Sequence, residues 1–262
     1  MNVRDENIKQ EKKSSKINKI EKKDIFIFIG MLFFSYTICY TLFFPHCSPD
    51  TYLFKNLGYF SYGVNFFLKD GRLFSAMFSI LGGILRIPFD VFVVLSSTLA
   101  ILFLTLASFK LYKMLKERIE IKEKGKDLLL VMIAILTIWN GRTIELLIFA
   151  ESAIMCLGVF LTIYAIQIYL KEKRNPLLKS FLILAIASLC YQGSINLFLP
   201  VTLALLMLKE GKEHKQKIKY FIKETLKLGI IWGLALCVAA LFMYEIRIRV
   251  MRAKDNVSKT NR

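Results

Sequence analysis

The sequence lacks the short patterns that bind nucleotides or that form a common hydrolase site. It contains no Walker phosphate loop, no Rossmann glycine pattern and no nucleophile elbow. Its two histidines, His46 and His214, stand alone, without companions at metal-ligand spacing. We therefore predict neither a nucleotide site nor a metal site.

Cysteine is scarce and follows no pattern. The five cysteines among 262 residues match neither a metal site nor a disulfide framework. Four of them lie inside apolar runs, where cysteine behaves as a small hydrophobic residue. The fifth, Cys47, is expected to face the oxidising side of a membrane without a partner.

Acidic residues are outnumbered. The chain has 20 Asp and Glu against 37 Lys and Arg, which gives a net charge of +17. In a soluble protein this excess would suggest nucleic acid, but here the chain is 55% hydrophobic and its basic residues separate long apolar runs. That pattern is typical of the cytoplasmic loops of a multi-pass membrane protein. We predict no nucleic-acid partner and an accessory contact with anionic lipids.

The basic segments determine a topology. Residues 4–23, 110–126, 171–179 and 209–227 are placed in the cytoplasm, so an even number of crossings separates any two of them. The run 25–44 has no small-residue cleavage site after it, so we predict a retained transmembrane helix and not a signal peptide. The predicted crossings are 25–44, 88–109, 128–149, 152–170, two short helices within 177–208, and 229–244.

The predicted fold is an all-α polytopic membrane protein with about seven transmembrane helices in the plasma membrane. A cytoplasmic basic tail, 1–24, precedes a membrane domain, 25–244, and a second basic tail, 245–262, follows it. The outer loop 45–87 contains a 13-residue apolar run, 73–85, that is too short to cross. We expect two interfacial helices in this loop, joined at Asp70-Gly71, with aromatic side chains in the headgroup layer.

Few polar residues lie where a membrane enzyme could use them. Asp50, in "PHCSPDTYL", is placed to act as a general base, although a solvated turn residue is the alternative. Arg72 suits bidentate phosphate binding, or else it anchors an interfacial helix, and Asp70 flanks it across Gly71.

Two further pairs of residues are candidates for substrate binding. Glu145 and Glu151 lie near the outer end of a predicted helix pair, where they could bind substrate or merely cap helix ends. Arg142 and Glu145 are three residues apart and could pair on one helix face. Tyr191 and Gln192 occupy a predicted outer turn, where the amide of Gln192 could bind sugar hydroxyls or simply satisfy the turn.

The order of these features resembles a known family. An Asp after the first span, an outer loop with "DGRLFS", a short apolar run with "GG", and "CYQGSINLFLP" between short helices follow one another. This order is similar to that of the bacterial Gtr-type (type II) glucosyltransferases, polytopic enzymes of the GT-C superfamily that decorate O-antigen and related surface glycans. The resemblance covers roughly residues 44–208.

The resemblance implies an inverting transfer at the outer face of the membrane. An undecaprenyl-phosphate-linked sugar would donate a glucosyl group to a surface glycan acceptor, and no cofactor beyond that donor is expected. By the same resemblance, Asp50 is the catalytic base, Arg72 contacts the lipid phosphate, and Tyr191 and Gln192 position the substrate. Asp70, Glu145 and Glu151 complete the expected substrate-binding set.

Members of the family are generally longer, and this chain ends soon after Tyr244, so we expect a C-terminal truncation. That expectation keeps an inactive remnant among the alternatives. A polysaccharide polymerase or flippase component is the other alternative, since such proteins also combine many spans with polar outer loops. Charges gathered at one face, without an internal repeat, favour the enzyme.

Overall fold

A computed structural model describes residues 22–44, 48–119, 125–208 and 214–260. Every regular element in these ranges is helical, as the predicted all-α class requires. The α-helices are α1 (Lys22–Ile38), α2 (Pro49–Leu57), α3 (Tyr59–Tyr62), α4 (Leu73–Ile84), α5 (Phe89–Arg118), α6 (Lys126–Ile138), α7 (Gly141–Glu145), α8 (Ser152–Lys171), α9 (Pro176–Cys190), α10 (Phe198–Met207) and α11 (His214–Thr260). Shorter 3-10 or π turns lie at Tyr40–Phe43, Gly63–Phe67, Leu146–Ile148 and Gln192–Leu197.

The described helices support fewer membrane spans than the sequence predicted. Three stretches, Phe89–Arg118, Ser152–Lys171 and Tyr220–Ile246, are long and apolar enough to cross a bilayer. A fourth span results if the bent pair Asp127–Ile138 and Gly141–Ile148 is counted as one. The predicted count of about seven is not confirmed, because α1, α9 and α10 have only 17, 15 and 10 residues.

The core of the bundle is built around α5 and α8. Helix α5 packs against α8, α6 and α1, and α9 lies between α8 and α11. Gly158 of α8 allows a close approach, since a Cβ at this position would lie 2.8 Å from the Ser194 hydroxyl oxygen. Small residues at such contacts are what membrane helices use to pack closely.

The aromatic residues of the loop 45–87 form a second core. Phe54, Tyr62 and Phe67 are buried together, with Phe92 from the start of α5 packed among them. Helix α4 lies against this cluster with a face of small residues that includes Ser75 and Ala76. The expectation that these rings line the headgroup layer is therefore wrong for Tyr62 and Phe67, because their apolar surface is buried against other rings.

The turns between helices agree with the sequence in two places and differ in one. The turn at Asp70-Gly71 lies where it was predicted, and α5 begins at Phe89, next to the predicted start of the crossing 88–109. The predicted crossing 128–149 is not a single straight helix, since α6 ends at Ile138 and the chain bends by 58° before α7. The Asn140 side chain causes this break by accepting hydrogen bonds from the backbone N–H groups of Arg142 and Thr143.

Ion pairs gather at one end of the bundle, which we call the basic end. Asp24 at the start of α1 is buried between Lys113 and Lys116 of α5, at 3.0 and 3.2 Å. Further pairs there are Lys23 with Asp127, Lys171 with Glu117, Lys179 with Glu172 and Lys227 with Glu224. The pairs between helices connect the described parts of the first three segments that the sequence assigned to the cytoplasm, and a hydrogen bond from Tyr169 to Glu224 adds the fourth. The opposite end, with the turn at Asp70-Gly71, is the site end.

Candidate active site

The turn before α4 is held by a residue more than a hundred positions away. The amide nitrogen of Gln192 donates to the carbonyl oxygens of Asp70, at 3.2 Å, and Gly71, at 3.0 Å. Gly71 has a φ of +79°, which favours glycine, and a Cβ at this position would lie 2.4 Å from that nitrogen. The glycine is thus required both by the backbone and by the close approach of Gln192.

Arg72 is fixed by two neighbours from different helices. Its Nη1 atom donates to Oε1 of Glu151 at 2.9 Å. Its guanidinium carbon lies 5.5 Å from the ring centroid of Tyr191, within the range of a cation–π contact. Three segments that the sequence singled out separately therefore meet at this guanidinium.

Glu151 is a buried carboxylate, and only 4% of the residue is exposed. Glu151 comes just before α8. The Ser96 hydroxyl of α5 accepts a hydrogen bond from the N–H of Ala153 at 3.0 Å and so holds the first turn of α8 to α5. Burial raises the pKa of Glu151 to about 7, against the opposing effect of the Arg72 guanidinium. The carboxylate thus needs Arg72 to remain charged near neutral pH.

Beside this pair lies a cavity of about 410 Å³. Polar side chains outnumber apolar ones in its lining, so the cavity offers groups that can orient a polar ligand as well as enclose it. The lining residues are Arg72, Asn140, Arg142, Thr143, Glu145, Leu146, Phe149, Met155, Val159, Tyr191, Gly193, Ser194, Asn196 and Leu197. The bend between α6 and α7 supplies one part of the wall, and the turn after α9 supplies another.

The predicted site residues fall into three groups. Arg72, Glu145 and Tyr191 line the cavity directly. Gln192 and the buried Glu151 do not line it but contact the Asp70–Arg72 turn. Asp70 and Asp50 are exposed and lie outside the lining.

Asp50 nevertheless belongs to the same end of the molecule. It lies in the first turn of α2, which begins with the Ser48 hydroxyl accepting from the Thr51 N–H at 3.1 Å. Its charge acts on both Glu151 and Tyr62, and burial raises the pKa of Tyr62 to about 12. Asp50 is therefore close enough to influence the site electrostatically, although it is not a wall of the cavity.

Sequence reasoning missed part of this wall. Asn140, Thr143 and Asn196 line the cavity, yet none was singled out as a binding residue. The signal was present in "WNGRT", where an Asx cap and a glycine interrupt an apolar run of spanning length. The suggested ion pair between Arg142 and Glu145 does not form, and neither side chain has an ion-pair partner in the part of the chain described.

The predictions about metal ligands, cysteines and the basic tail are less closely related to the site. Among the described residues, no group of three His, Cys, Asp or Glu side chains could hold a metal ion. Cys39, Cys156, Cys190 and Cys237 are free cysteines. Cys47 and His46 lie outside the described residues, as does most of the basic tail 1–24.

Comparison with known proteins gave one match. A family model described as "Glucosyl transferase GtrII" matches residues 40–260, which is more than half of the 262-residue chain. No curated protein and no solved structure matches the chain significantly. The matched region contains every residue of the site end described above.

Proposed function

The chain belongs to the glucosyl transferase GtrII family, and we propose that it moves a glucosyl group from a polyprenyl-phosphate sugar to a surface glycan. One observation carries this proposal beyond family membership. Arg72, Tyr191 and Glu145, from three separate segments, line one cavity of about 410 Å³. A cavity with cationic, aromatic and hydroxyl-binding groups suits a sugar joined to a phosphate.

The outer face of the plasma membrane is the proposed location of the site. The described parts of the basic segments meet at the basic end, and the positive-inside rule assigns such an end to the cytoplasm. The cavity lies at the site end and would then open to the outside, with the N-terminus in the cytoplasm. A sugar donor there must be lipid-linked, because nucleotide sugars are cytoplasmic.

The proposed reaction is a single inverting displacement. An acceptor hydroxyl oxygen bonds to the anomeric carbon while the bond from that carbon to the phosphate oxygen breaks. A carboxylate takes the hydroxyl proton, and polyprenyl phosphate leaves with the additional negative charge. Arg72 contacts that phosphate, Tyr191 packs beside the sugar, and Gln192 holds the Asp70–Arg72 turn in place.

Two carboxylates compete for the role of base. We propose Asp50, which is exposed at the site end where a large glycan acceptor can reach it. Glu145 lines the cavity and is also exposed. Asp50→Asn should reduce transfer at least about a hundredfold, the usual range for loss of general-base catalysis, while Glu145→Gln retains most of it. The reverse result would move the base to Glu145.

The test of function is the addition of hexose to a surface glycan. The chain is expressed in a bacterium that lacks this modification, and the glycan is weighed by mass spectrometry. We expect a gain of one hexose per acceptor unit. A change in glycan length without added hexose would favour a polymerase, and accumulation of lipid-linked glycan would favour a flippase component. No addition, where a longer homologous chain succeeds, would show an inactive remnant.

A further inference from the structure

The two arginines of the cavity differ in their electrostatic surroundings. The Arg72 guanidinium is paired with a buried carboxylate at 2.9 Å and lies beside the Tyr191 ring. The Arg142 guanidinium lines the same cavity, is exposed, and makes neither an ion pair nor a hydrogen bond to any described residue. One cation is thus largely neutralised by the protein, and the other is not.

The backbone around Arg142 is fixed although its side chain is unpaired. The Asn140 side chain accepts from the backbone N–H groups of Arg142 and Thr143 at 3.0 and 3.3 Å. The same side chain donates to the carbonyl oxygen of Thr137 at 3.0 Å, so it holds the backbone on both sides of the bend. Arg142 is the cation at this bend, and its guanidinium remains available for an anionic ligand.

The position of Arg142 in the chain also indicates an anionic ligand. It follows the 58° bend of a helix pair, and only the two parts together are long and apolar enough to span a membrane. Irregular backbone of this kind is tolerated in a membrane protein where it lines a cavity. An unpaired guanidinium that lines such a cavity can bind a ligand of opposite charge.

We propose that Arg142 binds the phosphate of the lipid-linked donor as a second arginine beside Arg72. This inference rests on the proposed function. A guanidinium presents paired donors that match two phosphate oxygens. Because Arg142 has no carboxylate to neutralise it, it contributes more of the phosphate affinity than Arg72 does. It also stabilises the charge that develops on the leaving phosphate.

The chain carries its own reporter for this test. Trp139 is the residue between α6 and Asn140, and the sequence has only one other tryptophan, Trp232. Trp232→Phe leaves Trp139 as the single tryptophan, three residues from Arg142. The protein is reconstituted in phosphatidylcholine nanodiscs and titrated with undecaprenyl phosphate, with uncharged undecaprenol and with inorganic phosphate.

We expect saturable binding of undecaprenyl phosphate and an affinity loss of at least about tenfold in Arg142→Ala, the usual effect of losing a hydrogen bond to a charged group. Arg142→Lys should recover part of the loss, because it restores the charge without the paired donors. Arg174→Ala is the matched control, since it removes an exposed arginine from the turn between α8 and α9 at the basic end. Undecaprenol should bind weakly and equally to all variants, which separates the phosphate contact from the lipid tail.

The outcomes separate this inference from the proposed function. If undecaprenyl phosphate binds and Arg142→Ala binds it as tightly as the parent, the Arg142 assignment is wrong while the donor class stands. If inorganic phosphate binds as strongly as undecaprenyl phosphate does, the site recognises free phosphate and the assignment of a lipid-linked ligand is overturned. If undecaprenyl phosphate binds no variant, both fail. Native mass spectrometry of the parent, with both tryptophans present, checks that Trp232→Phe has not altered the site.

Discussion

The two ends of the bundle use charge in opposite ways. At the basic end, each described carboxylate has a lysine partner, and several of the pairs join neighbouring helices, as Asp24 does with Lys113 and Lys116. At the site end, one buried pair, Arg72 with Glu151, lies beside a cavity whose other charged groups have no partner among the described residues. The described carboxylates at the basic end are paired within the protein, whereas Arg142 and Glu145 at the site end remain available.

This difference shows which charges are structural and which can act on a ligand. A surface pair contributes at most about 1 kcal/mol to stability, so the exposed pairs of the basic end, such as Lys179 with Glu172, orient the helices more than they stabilise them. A buried pair is different, because removing one partner leaves an uncompensated charge. The site end therefore combines one rigid, interdependent pair with groups whose partners must come from outside.

The largest expected effect is on the buried pair. Arg72→Met leaves Glu151 unpaired and should lower the free energy of unfolding by about 3–5 kcal/mol. The double variant Arg72→Met/Glu151→Gln should recover most of that stability without recovering transfer. Lys113→Met is the control at the basic end, where Asp24 keeps Lys116 and the loss stays below about 1 kcal/mol. Recovery of transfer in the double variant would contradict a role for Arg72 in binding.

The second effect is a pH dependence specific to Glu151. Its pKa in the folded protein is raised from 4.5 to about 7, so its relative contribution to stability is full below about pH 4.5 and declines as the pH rises through about 7. Relative to Glu151→Gln, the parent should lose ~3 kcal/mol of unfolding free energy across that range, measured by chemical denaturation at several pH values. In the Arg72→Met background the decline should move to higher pH. A flat difference would mean that Glu151 is not buried as described.

The third effect separates backbone strain from the Gln192 contact. Gly58 and Gly71 have φ values of +78° and +79°, but only Gly71 has a neighbour that an added Cβ would meet. Gly58→Ala should cost about 1 kcal/mol from the backbone alone. Gly71→Ala should lower the stability by more than Gly58→Ala does. In the double variant Gly71→Ala/Gln192→Ala, the loss of stability should return to that of Gly58→Ala. Equal losses in both single variants, read from thermal melts, would exclude the close approach of Gln192.

The smallest effect is expected at the basic end. Asp24→Asn removes a buried carboxylate, but the lysines it leaves behind are about one-third exposed and can turn to solvent or lipid headgroups. We expect a stability loss of about 1 kcal/mol and unchanged transfer. A loss of transfer comparable to that of Arg72→Met would remove the distinction between the two ends.

The sequence predicted which segments meet at the site end better than it predicted the walls of the cavity. Arg72 and the Tyr191-Gln192 pair were chosen from separate segments, and the structure brings them together at Glu151 and the Asp70-Gly71 turn. Charge patterning assigned both segments to the same ends of the helices, and the family resemblance singled out these residues within them. The relation of Asp50 to the cavity could not be predicted, since it depends on how α2 packs against the aromatic cluster.

The predicted crossing 128–149 differs from a straight helix for a physical reason. Apolar length alone predicts a crossing wherever about 20 hydrophobic residues occur, but the Asn140 cap competes locally with helix continuation. The run 128–149 was therefore read as one helix, although it bends by 58° and opens the cavity at the bend. The burial of Tyr62 and Phe67 was missed likewise, because ring-to-ring packing leaves no signal in periodicity.

The most direct test of the central claim is where the lipid-linked donor binds. A photoreactive amino acid is placed at Asn196, which is exposed and lines the cavity, and separately at Lys173, which is exposed at the basic end. Each protein is irradiated in nanodiscs that contain radiolabelled undecaprenyl-phosphate glucose. The account predicts strong labelling at position 196, reduced by excess undecaprenyl phosphate, and little at position 173. Equal labelling at both positions, or labelling at 173 alone, would contradict it.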